Sequence, residues 1–190
     1  MKNVIRTFIA IEVDKAMQQE LDNIQTQLKS RLSGSITWVK SGNIHLTLRF
    51  LGHIQETQIE QIKKVMDDIA KNTKKFTMDL GVLGVFPDML NPHVLWAGIH
   101  FGFDQLNSIN AQIEEKLEII NFEVGEKFFH SHFTLARIKK LDNREILENL
   151  LKILKPKETF TNVDKIALFK SEITPQGAVY TKIFEKKLAS

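Results

Sequence analysis

One tetrapeptide pattern occurs twice in this chain. His45-Leu46-Thr47-Leu48 is answered by His132-Phe133-Thr134-Leu135, 87 residues further on. Other segments repeat at nearly the same offset. Phe76-Thr77-Met78-Asp79 parallels Phe160-Thr161-Asn162-Val163 at 84 residues, and Phe8-Ile9-Ala10-Ile11 with its helix parallels Leu95-Trp96-Ala97-Gly98-Ile99 with its own. Two copies are too few for a solenoid, which needs about three or more stacked units. They imply two similar lobes related by a pseudo-twofold axis. No Pro-, Gly- or Ser-rich linker separates them, so residues 1–190 read as a single bilobal domain.

Apolar periodicity supplies the elements. Thr7–Val13 reads as a β-strand that ends in a helix start, with Asp14 as N-cap. Met17, Leu21, Ile24, Leu28 and Leu32 then recur at helical spacing. Ile36–Val39 and Ile44–Leu51 read as strands split by Ser41-Gly42-Asn43. Thr57 is placed to cap a helix carrying Ile59, Ile62, Val65, Met66 and Ile69. Strands follow at Phe76–Phe86 and Val94–Ile99, then a helix through Leu106, Ile109, Ile113, Leu117 and Ile120. Glu123–Phe129 and His132–Ile138 are predicted strands. Asp142 with Glu145 resembles a capping box ahead of Ile146, Leu147, Leu150, Leu151 and Leu154. Phe160–Ile173 and Ala178–Phe184 close the chain as strands. The predicted class is α+β: two pseudo-twofold-related lobes of mainly antiparallel sheet, helices packed outside, and a central cleft.

Composition excludes several chemistries. With 190 residues, 43% of them hydrophobic and 26% charged, the chain can bury roughly 70% of its unfolded surface and needs no covalent or metal staple. It has no cysteine, which rules out disulfides, cysteine zinc sites, iron–sulfur clusters and thiol catalysis. A net charge of +3 suits an anionic ligand but not a non-specific nucleic-acid coat. No run approaches the roughly 18 apolar residues of a membrane span, and the N-terminus lacks a small-residue cleavage site. A cytoplasmic protein is expected, with no membrane partner.

In a strand, residues i and i+2 share a face. His45 therefore stands beside Thr47 and His132 beside Thr134, while Leu46, Leu48, Phe133 and Leu135 turn to the opposite, core-facing side. If the twofold axis brings the two strands together, two imidazoles and two hydroxyls line one cleft. That set suits phosphodiester chemistry. A neutral imidazole takes a proton from water, an imidazolium gives one to the leaving oxygen, and hydroxyls donate to phosphate oxygens. Histidine populates both forms near neutral pH. Arg137 is the nearest cation to complete a phosphate site. It lies at an odd offset from His132, so strict alternation turns it away, and only a bulge or its long side chain would return it. A metal held by His130 and His132 fits poorly, because threonine is a weak ligand and neither motif carries an acid. His130 shares the His132 face if the strand extends that far. His53, His93 and His100 lack repeat partners and are expected in solvent.

At these motifs the chain resembles a known family. The paired His-x-Thr-x tetrapeptides are similar to the signature of the two-histidine phosphoesterases. More closely, the chain is similar over nearly its whole length to the RNA 2′,3′-cyclic phosphodiesterases, historically called 2′-5′ RNA ligases. The likeness includes Arg6–Glu12, Trp38-Val39-Lys40, Asn43–Gly52, Phe86-Pro87, Pro92, Val94–Gly98, His132–Arg137, Leu168–Ser171 and Pro175–Tyr180. The family's usual proline ahead of the second motif is Ser131 here. The resemblance implies His45 as proton donor to the leaving oxygen, His132 as base toward water, Thr47 and Thr134 holding phosphate, and no metal or cofactor. The implied reaction opens a terminal 2′,3′-cyclic phosphate on RNA to a 2′-phosphate, with tRNA fragments among the candidate partners. A monomer is the default expectation. Rival readings are 2′-5′ ligation, a small cyclic-nucleotide phosphodiesterase, and a non-catalytic RNA-end binder. A pure binder would favour arginine over paired histidines.

Overall fold

Strand β1 (Val4–Ile11) buries Phe8, Ala10, Ile9 and Ile11 alike. Because alternate residues point to opposite faces, such a strand must be covered on both sides. The computed structural model describes residues 4–122, 129–175 and 177–190 and shows how. After β1 come α1 (Lys15–Lys29), β2 (Gly34–Trp38), β3 (Leu46–Gln55), α2 (Ile59–Asn72), β4 (Phe76–Phe86), β5 (Val94–Ile99) and α3 (Phe103–Ile119). Then follow β6 (His132–Leu141), α4 (Arg144–Ile153), β7 (Phe160–Val163), β8 (Lys165–Thr174) and β9 (Gly177–Lys187). The strands form one sheet in the order β7-β4-β5-β6-β3-β1-β8-β9, with β2 also paired to β6. Every pairing between these strands is antiparallel. The fold is α+β, as the sequence predicts.

The register carries the twofold relation of the repeat. Leu46 pairs with Phe133, its own counterpart in the other half. Phe76–Asp79 pairs antiparallel with Phe160–Val163, again a segment with its own counterpart. Equivalent segments face one another in this way when a twofold axis passes between them. Only Asp164 separates β7 from β8 in the chain, yet β7 bonds β4 and β8 bonds β1, far apart in the strand order. The sheet therefore curls until its ends approach. This also corrects the expected strand Phe160–Ile173, which breaks in two because each part serves a different half.

The helices cover one face. Met17, Leu21, Ile24 and Leu28 of α1 join Ile62, Met66 and Ile69 of α2, Leu106, Ile109 and Ile113 of α3, and Leu147 and Leu150 of α4 in one core. Into it point Ile9, Ile11, Leu46, Leu48, Phe133 and Leu135 from the sheet. Phe8, Ala10, Ala167 and Phe169 form a separate cluster on the opposite, concave face, with Tyr180 against it.

Helix starts follow the expected chemistry at one place and shift at two. The Asp14 carboxylate accepts from the Met17 amide at 2.9 Å. Asn143, not Asp142, caps α4 by accepting from the Ile146 amide, because the helix begins at Arg144; the Asp142 amide donates to the Ser33 carbonyl. Thr57 lies inside a 3-10 turn over Glu56–Gln58, and Gln55 and Gln58 make the reciprocal cap ahead of α2. The strand expected at Glu123–Phe129 falls largely outside the described residues. Among the described residues no helix is long and apolar enough to cross a membrane.

Candidate active site

The two motifs meet where β3 and β6 touch. His45 immediately precedes β3, His132 opens β6, and the single Leu46–Phe133 pair joins the strands. Thr47 and Thr134 follow on the face of their histidines, half-buried, while Leu46, Leu48, Phe133 and Leu135 are buried in the core. The predicted division of faces holds.

Alternation ends one residue past each threonine. Trp96 pairs with Thr134 but Leu95 with Ala136, so Leu135 is an extra residue, a β-bulge. Ala10 pairs with Thr47 but Ile9 with Arg49, so Leu48 is its counterpart. A bulge inserts one residue and reverses the facing of those beyond it. Burial records the reversal: Leu135 and Ala136 are both buried, then Arg137 is exposed and Ile138 buried. Arg137 thereby returns to the histidine side. At the matching place in the other half Phe50 emerges, 56% exposed.

Each bulge is braced by a buried amide from the helix layer. Gln25 of α1 donates to the carbonyls of Leu135 (2.8 Å) and Val39 (2.9 Å), and the Val39 amide donates to the same Leu135 carbonyl. Asn110 of α3 donates to the Leu48 carbonyl at 2.9 Å. The brace is crossed, since a helix that follows β1 holds β6 and a helix that follows β5 holds β3. Sequence reasoning missed both amides. Their signal was present: Gln25 and Asn110 each occupy an apolar-stripe position beside Ile24 and Ile109, 85 residues apart.

The histidines are oriented identically. His45 Nδ1 lies 2.8 Å from the Asn43 carbonyl, and His132 Nδ1 lies 2.6 Å from the His130 carbonyl. A carbonyl only accepts, so each Nδ1 carries a proton and each Nε2 is left for chemistry. The Thr134 hydroxyl is 3.2 Å from His132 Nε2. His45 stacks on Phe8 with centroids 4.7 Å apart and meets the edge of Tyr180 at 5.1 Å. His132 meets Phe86 edge-on at 5.1 Å, and His130 lies 4.9 Å from Trp96. Gly84 makes room for that indole, since a Cβ there would strike it. A cavity of about 290 Å³ opens beside His45, lined in part by Glu12, Gln18, Asn43, Tyr180 and Lys182.

Burial pushes both imidazoles below their ordinary proton affinity, partly offset in each by the carbonyl at Nδ1. Beyond that the two differ. Glu12 raises His45, which His132 lowers; His130 and Arg137 both lower His132. Glu12 itself pairs with Lys182 at 2.7 Å. His53, His93 and His100 are exposed, as expected. Among the described residues no three His, Asp or Glu side chains are grouped to hold a metal.

A curled two-lobed sheet whose two repeated motifs aim imidazoles and hydroxyls into one cleft defines a phosphoesterase. Comparison with known proteins places it further. The profile described as LigT like Phosphoesterase matches residues 11–96 and 102–180, one stretch for each half of the repeat. A relative named RNA 2′,3′-cyclic phosphodiesterase from Aquifex aeolicus is 33% identical over 185 residues, covering 96% of each chain. One of the same name from Aeropyrum pernix is 35% identical over 153 residues, covering 80% of this chain and 86% of that one. Among solved structures, TT0787 of Thermus thermophilus superposes with a TM-score of 0.79 at 28% identity, covering 97% of this chain and 98% of that chain. Escherichia coli LigT complexed with 3′-AMP shares the fold, with a TM-score of 0.79 at 19% identity over 99% of this chain and 100% of that one. This chain belongs to the LigT-like phosphoesterase family.

Proposed function

We propose that the protein hydrolyses the terminal 2′,3′-cyclic phosphate of RNA to a 2′-phosphate, with the two histidines as acid and base and no metal. The observation that carries the reading is geometric: two imidazoles, each held at Nδ1 by a backbone carbonyl and each followed by a threonine on its own face, meet where β3 and β6 touch. Burial lowers the proton affinity of both; at His45 the Glu12 carboxylate works against the lowering by burial and by His132, whereas at His132 both His130 and Arg137 add to it. Environments that push paired groups apart assign acid and base.

His132 Nε2 takes a proton from water, whose oxygen attacks phosphorus. The bond from phosphorus to the ribose 3′-oxygen breaks, and His45 gives its Nε2 proton to that oxygen. Water takes the place of the Thr134 hydroxyl at His132 Nε2, which frees Thr134 to join Thr47 in donating to the non-bridging oxygens. Arg137, returned to this face by the Leu135 bulge, offsets the charge that builds on them. The names of the relatives support RNA ends as substrate. RNA fragments in the cytoplasm, cleaved tRNA among them, and action as a monomer complete the reading.

The test is an oligoribonucleotide ending in a 2′,3′-cyclic phosphate, incubated with EDTA-treated protein. The expected product is the 2′-phosphate, formed at an undiminished rate in chelator. A 3′-phosphate product, or turnover restored only by a divalent ion, overturns the mechanism.

A further inference from the structure

We propose that a groove at the far end of β6 holds the backbone phosphates of the RNA upstream of its cyclic end, on Lys139, Lys140 and Arg144. The inference rests on the reading above and extends it from the terminal nucleotide to the strand behind it.

A cavity of about 310 Å³ lies between the loop joining β4 to β5 and the turn joining β6 to α4, lined in part by Leu90, His93, Lys139, Lys140, Asp142 and Arg144. It adjoins the cleft. Phe86, Val94 and Arg137 stand side by side in the registers of β4, β5 and β6, and Phe86 meets the His132 ring. One step further the Ile138 amide donates to the His93 carbonyl at 2.7 Å, and the groove begins. A second irregularity of β6 sets the lysines in it. Ile36 pairs with Ile138 but Ser35 with Lys140, so Lys139 is an extra residue. Ile138 lies in the core and Leu141 packs against it, which leaves both lysines between them exposed. Lys139 stands about 7 Å along the strand from Arg137, close to the step between successive phosphates of a nucleic-acid chain.

These cations are not matched by the protein's own acids. Lys116, Lys152, Lys170, Lys182 and Lys186 each pair with a carboxylate, whereas among the described residues no carboxylate pairs with Lys139 or Lys140. Asp142 is the one acid in the lining, and nearby Asp88 accepts instead from the Leu90 and Asn91 amides at 2.8 and 3.0 Å. Arg144 is held at the groove by donating from Nη1 to the Leu90 carbonyl at 2.9 Å. Nor does the fold demand the charge. At the 87-residue offset of the repeat, Lys139, Lys140 and Arg144 correspond to Gly52, His53 and Thr57. Cations thus continue past the cleft in one half only, which gives a strand one way out. A small cyclic nucleotide ends at the cleft; a ligand with further anions at regular spacing fits the row beyond it. Phosphate contacts of this kind position a strand without reading its bases.

The experiment measures binding of uridine 2′-phosphate and of a pentauridylate ending in the same 2′-phosphate, by calorimetry, to the unaltered protein, the double variant Lys139→Gln/Lys140→Gln, and Arg144→Gln. The pentauridylate should bind the unaltered protein more tightly than the mononucleotide. Each phosphate contact to a single strand adds about 0.7 to the slope of log K against log salt, so the double variant should lower that slope by about 1.4 and Arg144→Gln by about 0.7. Raising the salt from about 50 to 200 mM should therefore weaken pentauridylate about 7-fold more on the unaltered protein than on the double variant. Turnover of uridine 2′,3′-cyclic phosphate, too short to reach the groove, should be the same in all three proteins. Equal affinity of the unaltered protein for the two ligands overturns the proposal, and so does a slope that stays fixed in either variant. A variant that loses turnover of the cyclic mononucleotide as severely as pentauridylate binding also overturns it, since the altered residues would then act on the cleft itself. Hydrolysis by the unaltered protein is read separately, so failure of the groove leaves the proposed reaction standing.

Discussion

Replacing Gln25 with leucine tests whether the helix layer sets the geometry of the cleft. The side chain is 2% exposed and donates two hydrogen bonds, to Val39 and Leu135. Leucine is of similar bulk, so little cavity opens, and the loss is the two donors together with the Gln25 oxygen that accepts from Lys29 at 3.0 Å near the surface. Each buried hydrogen bond contributes about 0.5–1.5 kcal/mol, and a carbonyl left short of a donor costs up to about 1–3 kcal/mol. The Leu135 carbonyl keeps the Val39 amide, which holds the total near 2–4 kcal/mol on those figures. In a protein of this size each kcal/mol lowers Tm by about 2–4 °C, so a fall of about 4–16 °C is expected by calorimetry. Arg137 stands two residues past the loosened bulge and His132 three before it. A displacement of about 1 Å at such groups costs on the order of 10²-fold, so kcat/KM measured well below the new Tm should fall about 10- to 100-fold. An unchanged Tm would refute the brace. A lowered Tm with unaltered kcat/KM would refute its positioning role and leave only stability.

His45→Ala and His132→Ala should each lower kcat by about 10²–10⁴-fold, and the double variant should lose less than the product of the two, because paired catalytic groups act as one unit. On a nitrophenyl ester, whose leaving group needs no proton, His45→Ala should be far milder than His132→Ala; equal damage would reverse the assigned roles. The kcat/KM profile should be bell-shaped in pH with its optimum below about 6.5, because burial lowers both histidines in the free protein. Glu12→Gln removes a carboxylate that holds the proton on His45, so the limb on the alkaline side should move to lower pH. Arg137→Ala removes a charge that keeps His132 neutral, so the acid limb should move to higher pH. Limbs that stay fixed in both variants would contradict the electrostatic assignment.

The amino-acid sequence by itself determined the repeat, the α+β class, the helix faces and the sharing of one face by His45 with Thr47 and His132 with Thr134. These are local matters: a period of two or of 3.6 residues is written in consecutive side chains, and a strand shows its parity without reference to its partner. Tertiary structure decided the rest. The strand expected at Phe160–Ile173 breaks at Asp164 because its halves bond β4 and β1, neighbours that nothing in the segment names. Parity fails beyond Leu48 and Leu135 because a bulge belongs to a pair of strands: it is defined by β1 and β5 opposite, and braced by Gln25 and Asn110 from helices across the twofold. Arg137 and Phe50 therefore reach the cleft through contacts more than 20 residues distant in the chain. Alternation along one strand propagates only while the ladder stays regular, and the register of that ladder is set by residues the strand itself does not contain.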